Sequence, residues 1–497
     1  MFRQKPKIKL KNIKLFKLIT TFLIVGLLGC QNKKNEVLIT GQILGEIPEE
    51  IFLALPVNGV FYLGFKELVK LDSSGHFKVK TIIDQPAFAG LLIYGVFNGN
   101  FIIEPGETYE IILNLNDEEN NFTVNCKSKK GQALYHSLPN PPHVQFESYK
   151  YLELPSATEM KKEIETARQK DISDFSELFE QGEISESFLD LMKTDRDVYY
   201  SAIQTEVAKR KWLDDMRMNN GAFTDEMSDL WKDAFSKIPV TDVNVLRSSW
   251  SQNYLDNYLY YREFTDQNYN RHKSEEMRKQ DLYHTHKMGF SKEYLNGEML
   301  EFHNATYLYM ACLQKKFEKE LVSLFDEFKR DFPDSEYIPY LVPMVEPIVE
   351  FHERAEIPFD NEVRFLADYE KINSLDECLE NFKGKKVYVD IWATWCGPCK
   401  DEFKHNADLK KFLKSKDVEV LYISIDSEDY EKQWKDMIKF YELTGYHIRA
   451  NTALRFDLNT LLGSFGIPRY LLIDENGAVV NSNAKRPSQL NELEKEI

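Results

Sequence analysis

Short runs of alternating hydrophobic and polar residues, separated by turn sequences, characterise the chain from residue 37 to residue 126. Residues 36–43 and 76–80 alternate, residues 51–55 are apolar throughout, and residues 72–75 carry the Asp, Ser and Gly residues of a turn. Alternation with a period of two is typical of half-buried β-strands. The pattern therefore predicts a small antiparallel β domain of the sandwich type over residues 37–126.

The hydrophobic period changes after a proline-rich segment near residue 140. Apolar residues recur at intervals of three and four over residues 156–180 and 183–218, with Glu and Lys between them. This spacing places the apolar residues on one face of an α-helix. We therefore expect a helical region over residues 127–362, in which the tyrosines of residues 254–269 belong to the core rather than to a ligand-binding face.

Strand-like and helix-like segments alternate from residue 363 to the C-terminus. Residues 386–393 form a nearly continuous apolar run, as expected of a central strand, and a helix is predicted from residue 396 to about residue 414. The alternation predicts an α/β domain over residues 363–497. The whole chain is therefore expected to be multidomain α+β, with an N-terminal antiparallel β domain, a helical middle region and a C-terminal α/β domain.

Composition and charge exclude some classes of protein. Of the 497 residues, 43% are hydrophobic and 29% are charged, which is ordinary for a folded protein and excludes disorder as the dominant state. Seven of the 63 lysine and arginine residues, and none of the 80 acidic residues, lie in residues 1–30, so the remainder is more acidic than the net charge of -17 suggests. Such a surface repels phosphate backbones, and we expect no nucleic-acid partner.

The N-terminus has the pattern of a targeting signal. A basic segment precedes an apolar run over residues 18–28, which ends at Gly29 and Cys30. The run is shorter than the roughly 20 residues that cross a bilayer, so residues 1–30 are predicted to be a signal peptide. Residues 27–30 resemble the lipobox of bacterial lipoproteins, and the resemblance implies that Cys30 is acylated and begins the mature chain.

Residues 31–36 would then be a polar tether. We expect an extracytoplasmic protein that is anchored through Cys30 to a bacterial cell-envelope membrane and faces the periplasm. The alternative is an ordinary signal peptide in which the cysteine is incidental.

The candidate chemistry is concentrated in Trp395, Cys396, Gly397, Pro398 and Cys399. Two cysteines separated by two residues can close a small disulfide where the chain turns, and Pro suits the first turn of a helix. A cysteine at a helix N-terminus is favoured as the thiolate. Cys396 is therefore the candidate nucleophile, and Cys399 can attack the mixed disulfide that Cys396 forms with a substrate.

The cysteine pair has two other interpretations, a zinc site and a structural disulfide. A structural zinc site usually needs a second pair of ligands, and Cys126, Cys312 and Cys378 are isolated in the sequence. A purely structural disulfide would close too short a loop to stabilise the fold much. We expect neither a metal nor a cofactor.

The segment around the pair, residues 389–400, resembles the active site of the thioredoxin superfamily and is most similar to the membrane-anchored TlpA/ResA-like thiol-disulfide oxidoreductases. The resemblance implies a thioredoxin-like fold over residues 363–497. It implies that Asp390 is a buried acid that accepts the proton of Cys399, with a raised pKa. Glu402 corresponds to an acid typical of this branch; the alternative is an ordinary Glu on an exposed helix face. Lys404 stands where the family often has Pro, which puts the usual helix kink in doubt.

The same resemblance identifies a substrate-binding face. Residues 466–469 match the family's cis-proline loop, in which the backbone of Ile467, before Pro468, would pair with a substrate strand. Trp395, Gly397 and Pro398 would lie on the same face. Residues 37–362 resemble, more loosely, the N-terminal part of a bacterial lipoprotein group with C-terminal thioredoxin domains.

We therefore expect a thiol-disulfide oxidoreductase that reduces protein disulfides and receives electrons from a membrane thiol donor. Two alternatives stay open at this point. One is a ligand- or client-binding lipoprotein with an accessory thioredoxin domain. The other is a thiol peroxidase, although the chain lacks the Pro that a peroxidatic cysteine motif would place before Cys396.

Overall fold

The computed structural model describes residues 35–61, 64, 66–117, 121–141, 143–267, 276–278 and 280–497. The predicted signal peptide, Cys30 and residues 31–34 of the tether lie outside the described residues, so these assignments stay predictions. No helix within the described ranges is both long enough and apolar enough to cross a membrane.

Residues 36–125 form two four-stranded sheets whose inward-facing side chains belong to one hydrophobic cluster. The strands are β1 (Glu36–Leu44), β2 (Ile51–Ala54), β3 (Lys66–Val69), β4 (His76–Ile82), β5 (Ala87–Ile93), β6 (Phe97–Ile103), β7 (Thr108–Asn114) and β8 (Phe122–Asn125). One sheet has the order β4-β1-β7-β8 and the other β3-β2-β5-β6.

The expectation of a purely antiparallel domain is wrong at one pair, because β1 and β7 are parallel. The chain passes through the second sheet between these strands, and this long crossover allows β7 to return in the direction of β1.

Helices make up most of the described part of residues 129–355. The helices are α1 (Lys129–Ser137), α2 (Val144–Leu152), α3 (Ala157–Glu180), α4 (Glu186–Met218), α5 (Asp225–Lys237), α6 (Ser251–Gln267), α7 (Tyr283–Tyr294), α8 (Gly297–Leu313), α9 (Glu320–Asp331) and α10 (Ile338–Ala355). Helices α2, α3, α5 and α6 pack against α4, which is 33 residues long. Ser185 caps α4 by accepting a hydrogen bond from the Phe188 N–H. Tyr254 is fully buried against this core, in keeping with the packing role expected of the tyrosine-rich segment.

The C-terminal residues form a six-stranded sheet of order β14-β13-β10-β11-β12-β9 with helices between the strands. Its strands are β9 (Val363–Phe365), β10 (Lys386–Trp392), β11 (Val418–Ser424), β12 (Gly445–Arg449), β13 (Arg469–Ile473) and β14 (Val479–Asn481). Its helices are α11 (Leu375–Leu379), α12 (Gly397–Glu402), α13 (Asn406–Ser415), α14 (Glu431–Phe440), α15 (Thr452–Leu462) and α16 (Leu490–Leu493).

The prediction of a C-terminal thioredoxin-like α/β domain is confirmed. Strand β10 is central: it runs parallel to β11 and antiparallel to β13, and nearly all of its residues are buried. The carboxyl end of β10 leads directly into the cysteine pair.

The expectation of one continuous helix from residue 396 to residue 414 is wrong. A 3₁₀ turn over Phe403–His405 separates α12 from α13. The Phe403 ring lies 5.1 Å from the rings of both Trp392 and Tyr441, while the neighbouring Glu402 is bonded to the C-terminal segment. Because these contacts hold the backbone at the end of α12, the break forms without the Pro that Lys404 replaces.

Candidate redox active site

Cys396 and Cys399 form a disulfide at the start of α12, with an S–S distance of 1.99 Å and a Cα–Cα distance of 5.3 Å. Cys396 is the residue before the helix and Pro398 lies in its first turn, where the fixed φ of proline fits. The Cys399 N–H donates to the Cys396 sulfur at 3.1 Å. A backbone donor aimed at this sulfur favours a thiolate there once the disulfide is reduced.

Both sulfurs are nearly inaccessible in the oxidised state: the exposed fraction is 3% for Cys396 and 0% for Cys399. The order is the one expected, with the first cysteine nearer the solvent. The exposed residues beside the pair are Trp395, which is 59% exposed, and Pro398.

Asp390 lies inside the sheet behind the pair. It is on β10, opposite Tyr470 of β13, and is fully buried. Neither of its carboxylate oxygens has a hydrogen-bond partner among the described residues. Burial, and secondarily the charge of Glu402, raise the pKa of Asp390 well above its usual value. A carboxyl group in this position can hold a proton at a pH where an exposed Asp cannot.

Glu402 is buried rather than on an exposed helix face, so the plain alternative for this residue is wrong. Its two carboxylate oxygens accept hydrogen bonds from the N–H and the hydroxyl of Ser488, at 3.0 and 3.1 Å. The Arg486 guanidinium lies 3.6 Å away. These three donors hold the Glu402 charge next to Asp390.

Sequence analysis did not find Ser488 or Arg486. They follow Glu402 by more than 80 residues, and an Arg-Pro-Ser sequence has no distinctive meaning until the fold brings it beside α12.

The predicted substrate-binding residues lie at the same end of the sheet as the disulfide. The Ile467–Pro468 peptide bond is cis and precedes β13. Because Arg469 of β13 pairs with Ile391 of β10, residues 467 and 468 continue past the end of β10, towards the cysteines. Pro398 is exposed, and Gly397 has no other heavy atom within 4 Å of the position that a Cβ would take. The end of the sheet thus offers room beside the sulfurs.

The other cysteines that the structure describes have environments unsuited to redox chemistry. Cys312 and Cys378 are unpaired, and burial raises the pKa of each thiol to about 12. Cys126 is half-buried, and its thiol pKa is raised as well. In the part of the chain that the structure describes, no group of three His, Cys, Asp or Glu side chains could hold a metal ion.

Comparisons with known proteins match this domain. The family model described as Redoxin matches residues 373–497. A thiol-disulfide oxidoreductase ResA of Bacillus thuringiensis subspecies konkukian is 30% identical over 121 residues, which cover 24% of this chain and 67% of the relative. The thioredoxin-like protein YneN of Bacillus subtilis is 31% identical over 101 residues, 20% of this chain and 57% of that protein.

Among solved structures, a putative thiol-disulfide oxidoreductase from Bacteroides vulgatus is 35% identical. The match covers 24% of this chain and 74% of that one, with a TM-score of 0.21. The residues that the family model matches include the disulfide. With this domain at its C-terminal end, the chain belongs to the TlpA/ResA-like family and is a thiol-disulfide oxidoreductase.

Proposed function

We propose that this protein is a membrane-anchored, extracytoplasmic reductase of protein disulfides. The observation that carries the proposal is the Cys396–Cys399 disulfide at the carboxyl end of β10, with the exposed Trp395 beside it. The ResA relative is named a thiol-disulfide oxidoreductase, which supports the same chemistry here.

In the first step the reduced pair attacks the substrate. The Cys396 thiolate bonds to one sulfur of the substrate disulfide, the substrate S–S bond breaks, and the departing substrate thiolate takes a proton from solvent. The product is a mixed disulfide between Cys396 and the substrate. The Cys399 N–H directed at the Cys396 sulfur stabilises the attacking thiolate.

In the second step Cys399 releases the substrate. The Cys399 thiol gives its proton to the Asp390 carboxylate, and its sulfur attacks Cys396. The mixed disulfide breaks, the second substrate sulfur departs as a thiolate that takes a proton from solvent, and Cys396 and Cys399 are left as the disulfide. Two electrons have moved from the dithiol to the substrate. The raised pKa of Asp390 suits it as the proton acceptor, and Glu402 acts through its charge on Asp390.

The substrate approaches across the face made by Trp395, Gly397, Pro398, Ile467 and Pro468. An extended substrate segment can pair with the Ile467 backbone as an added strand, while the exposed Trp395 covers an apolar side chain next to the scissile disulfide. A site built from backbone and one indole favours unfolded or extended protein substrates.

The direction of electron flow follows from the residues between the cysteines. A Gly-Pro pair resembles thioredoxin, whose potential is about -270 mV, rather than the strong oxidants near -120 mV. We infer net reduction of substrates, with a membrane thiol protein as electron donor.

The location follows from the N-terminus. The predicted signal peptide over residues 1–30 and the predicted acylation of Cys30 support attachment to a cell-envelope membrane on its periplasmic side. Electrons from a membrane donor would then reach the domain without a soluble carrier.

The test uses the full chain and insulin, a protein whose disulfides are easily assayed. Wild type should reduce insulin with a dithiol donor, Cys396→Ser should be inactive, and Cys399→Ser should accumulate a mixed disulfide with insulin on Cys396. The matched control is Cys378→Ala, a buried cysteine of the same domain that should keep wild-type activity. Insulin reduction by Cys396→Ser at the wild-type rate would overturn the proposal.

A further inference from the structure

Lys400, the residue after the second cysteine, is buried although its side chain is cationic. Its exposed fraction is 3%. The ammonium donates to three backbone carbonyls: Thr394 at 3.0 Å, Lys315 at 3.0 Å and Gln314 at 3.4 Å. Buried lysines are almost always paired with an acid, yet within the described residues the hydrogen-bond partners of this ammonium are all backbone carbonyls.

Two of the three carbonyls belong to the helical region. They lie in the turn between α8 and α9, residues 314–317, here called the docking turn. Lys315 and Phe317 have φ values of 51° and 59°, a left-handed conformation that costs a residue other than glycine about 1 kcal/mol or more. Such strain persists only where surrounding contacts compensate for it.

Those contacts come from the thioredoxin-like domain and from α10. Lys315 forms an ion pair with Asp401, and the Lys316 carbonyl accepts a hydrogen bond from Gln433 at 3.2 Å. The Phe317 ring stacks on Phe351 of α10 at 4.6 Å and lies 4.8 Å from Phe440 of α14. The docking turn therefore contacts the thioredoxin-like domain through several residues. Of these residues, Lys400 directly follows the second cysteine.

The third carbonyl belongs to the loop that carries Cys396. Asp426 binds the N–H and the hydroxyl of Thr394, at 2.9 and 2.8 Å. Lys400 binds the carbonyl of the same residue, and the Cys396 N–H donates to the Ala393 carbonyl at 3.0 Å. Both the N–H and the carbonyl of Thr394 are thus hydrogen-bonded. Lys400 connects this loop to the helical region, because its ammonium donates to carbonyls of both.

We propose that Lys400 is a positioning residue through which the helical region sets the reduction potential of the Cys396–Cys399 pair. This role of Lys400 rests on the redox function proposed above. The carbonyls of the docking turn keep the ammonium beside the first turn of α12, where its positive charge favours the thiolate of the reduced pair. A stabilised thiolate makes the dithiol more stable relative to the disulfide, so the potential is higher than the pair would have without the helical region.

The charges around Lys400 are consistent with this role. Burial first, and then the nearby Lys315 and Lys316, lower the pKa of Lys400 to about 8, while Asp401 and Asp426 act in the opposite direction. The amine is therefore mostly protonated at neutral pH and carries the charge that the proposal requires.

The test is the equilibrium of the full chain with reduced and oxidised glutathione, together with the pKa of Cys396 from the pH dependence of alkylation. Lys400→Met keeps the length of the side chain and removes the charge. We expect the equilibrium to move about tenfold towards the disulfide, which corresponds to about 30 mV, and the pKa of Cys396 to rise. Lys404→Met, which neutralises an exposed lysine just after α12, is the matched control and should match wild type.

A second variant acts from the helical region alone. Lys315→Pro cannot adopt the positive φ of the docking turn, so it displaces the carbonyls of the turn and removes the ion pair with Asp401, while no residue of the thioredoxin-like domain is substituted. It should shift the equilibrium in the same direction as Lys400→Met, and it serves as the test if that variant does not fold. A purely structural role for Lys400 would lower the melting temperature and leave the equilibrium and the pKa of Cys396 unchanged, which would overturn the proposal.

The two proposals fail separately. If the wild-type pair does not exchange with glutathione at all, the proposed function fails. If wild type exchanges and both variants behave like it, only the role of Lys400 and the docking turn is contradicted.

Discussion

Ser488 donates two hydrogen bonds to Glu402, one from its backbone N–H and one from its hydroxyl, at 3.0 and 3.1 Å. Glu402 is on the active-site helix α12 and Ser488 lies just before α16, at the C-terminal end of the fold. The last segment of the chain thus fixes a carboxylate whose charge raises the pKa of the buried Asp390.

Replacing Ser488 by Ala should destabilise the domain. The hydroxyl bond to the buried Glu402 carboxylate is lost while the backbone bond remains, and a hydrogen bond to a charged group contributes about 1.5–3 kcal/mol. We expect a decrease of about 1.5 kcal/mol in the free energy of unfolding, measured by urea denaturation. Ser482→Ala, an exposed serine near β14, is the control and should change it by less than about 0.5 kcal/mol. Equal effects of the two substitutions would contradict the role of the Ser488 hydroxyl.

Asp390→Asn should stabilise the protein at neutral pH and slow its catalysis. The pKa of Asp390 is raised in the folded state, so the protonated form favours folding. As pH rises above about 4, the unfolded chain releases this proton before the folded one does, and stability falls. Asp390→Asn removes this loss of stability, because the Asn side chain does not titrate. Its stabilising effect should be absent near pH 3 and increase with pH through the folded-state pKa.

Urea denaturation from pH 3 to pH 8 measures this difference, with the exposed Asp429→Asn as control. In turnover, Asp390→Asn should accumulate the mixed disulfide, because Cys399 loses its proton acceptor. A stability difference independent of pH would show that Asp390 is not the group responsible.

Two tryptophans three residues apart should respond in opposite ways to substitution. Trp395 is 59% exposed, whereas Trp392 is fully buried on β10. Trp395→Ala should raise KM for insulin about tenfold, since an exposed aromatic beside a site is a typical binding anchor, and should change stability by less than about 0.5 kcal/mol. Trp392→Ala should instead destabilise the fold by about 3–5 kcal/mol.

The steady-state kinetics of Trp395→Ala should be compared for insulin and for oxidised glutathione. Oxidised glutathione is too small to depend on the contact with Trp395, so its KM should be unchanged. An equal rise in both KM values would mean that Trp395 affects the cysteines rather than the protein substrate.

Because of His447, we expect acid to lower the free energy of unfolding. Its ring is fully buried, stacks on Tyr422 at 4.9 Å and bonds to the Leu443 carbonyl at 2.9 Å, and burial lowers its pKa to about 3. The folded state therefore holds the neutral ring, and the contribution of His447 to stability should be fully present above about pH 6.5. As pH falls from there towards 3, the unfolded state gains a proton and this contribution should decrease by about 1.4 kcal/mol per pH unit.

Urea denaturation of wild type and His447→Gln between pH 7 and pH 4 tests this slope. The variant lacks the titrating group, so its stability should decrease less steeply over the same range. Parallel curves would assign the acid sensitivity to other groups.

The catalytic pair and its domain could be predicted because their information is local. Cys396 and Cys399 lie within four residues, with a Gly-Pro turn between them, and β10 is a continuous apolar run. The burial of Asp390 was implied by the family resemblance, and its position within that apolar run is in keeping with it. In each case the physical cause lies within a few positions of the residue concerned.

The remaining features depend on contacts between distant segments. The residues around Glu402 left an exposed helical position open as the alternative, because its partner Ser488 is 86 positions away. Lys400 gave no sign of burial, since its acceptors at residues 314 and 315 belong to another region of the chain. The parallel pairing of β1 with β7 and the break after α12 likewise arise from tertiary packing, which hydrophobic periodicity does not encode.

The most direct test of the account is a redox titration of the Cys396–Cys399 pair in the full chain. The protein is equilibrated in glutathione buffers of graded potential, its free thiols are alkylated, and the peptide that carries both cysteines is quantified by mass spectrometry. We predict a single two-electron transition with a midpoint potential of about -270 mV, in which both thiols appear together. A midpoint near -120 mV would contradict the reductase direction, and a pair that never opens would contradict the redox function itself.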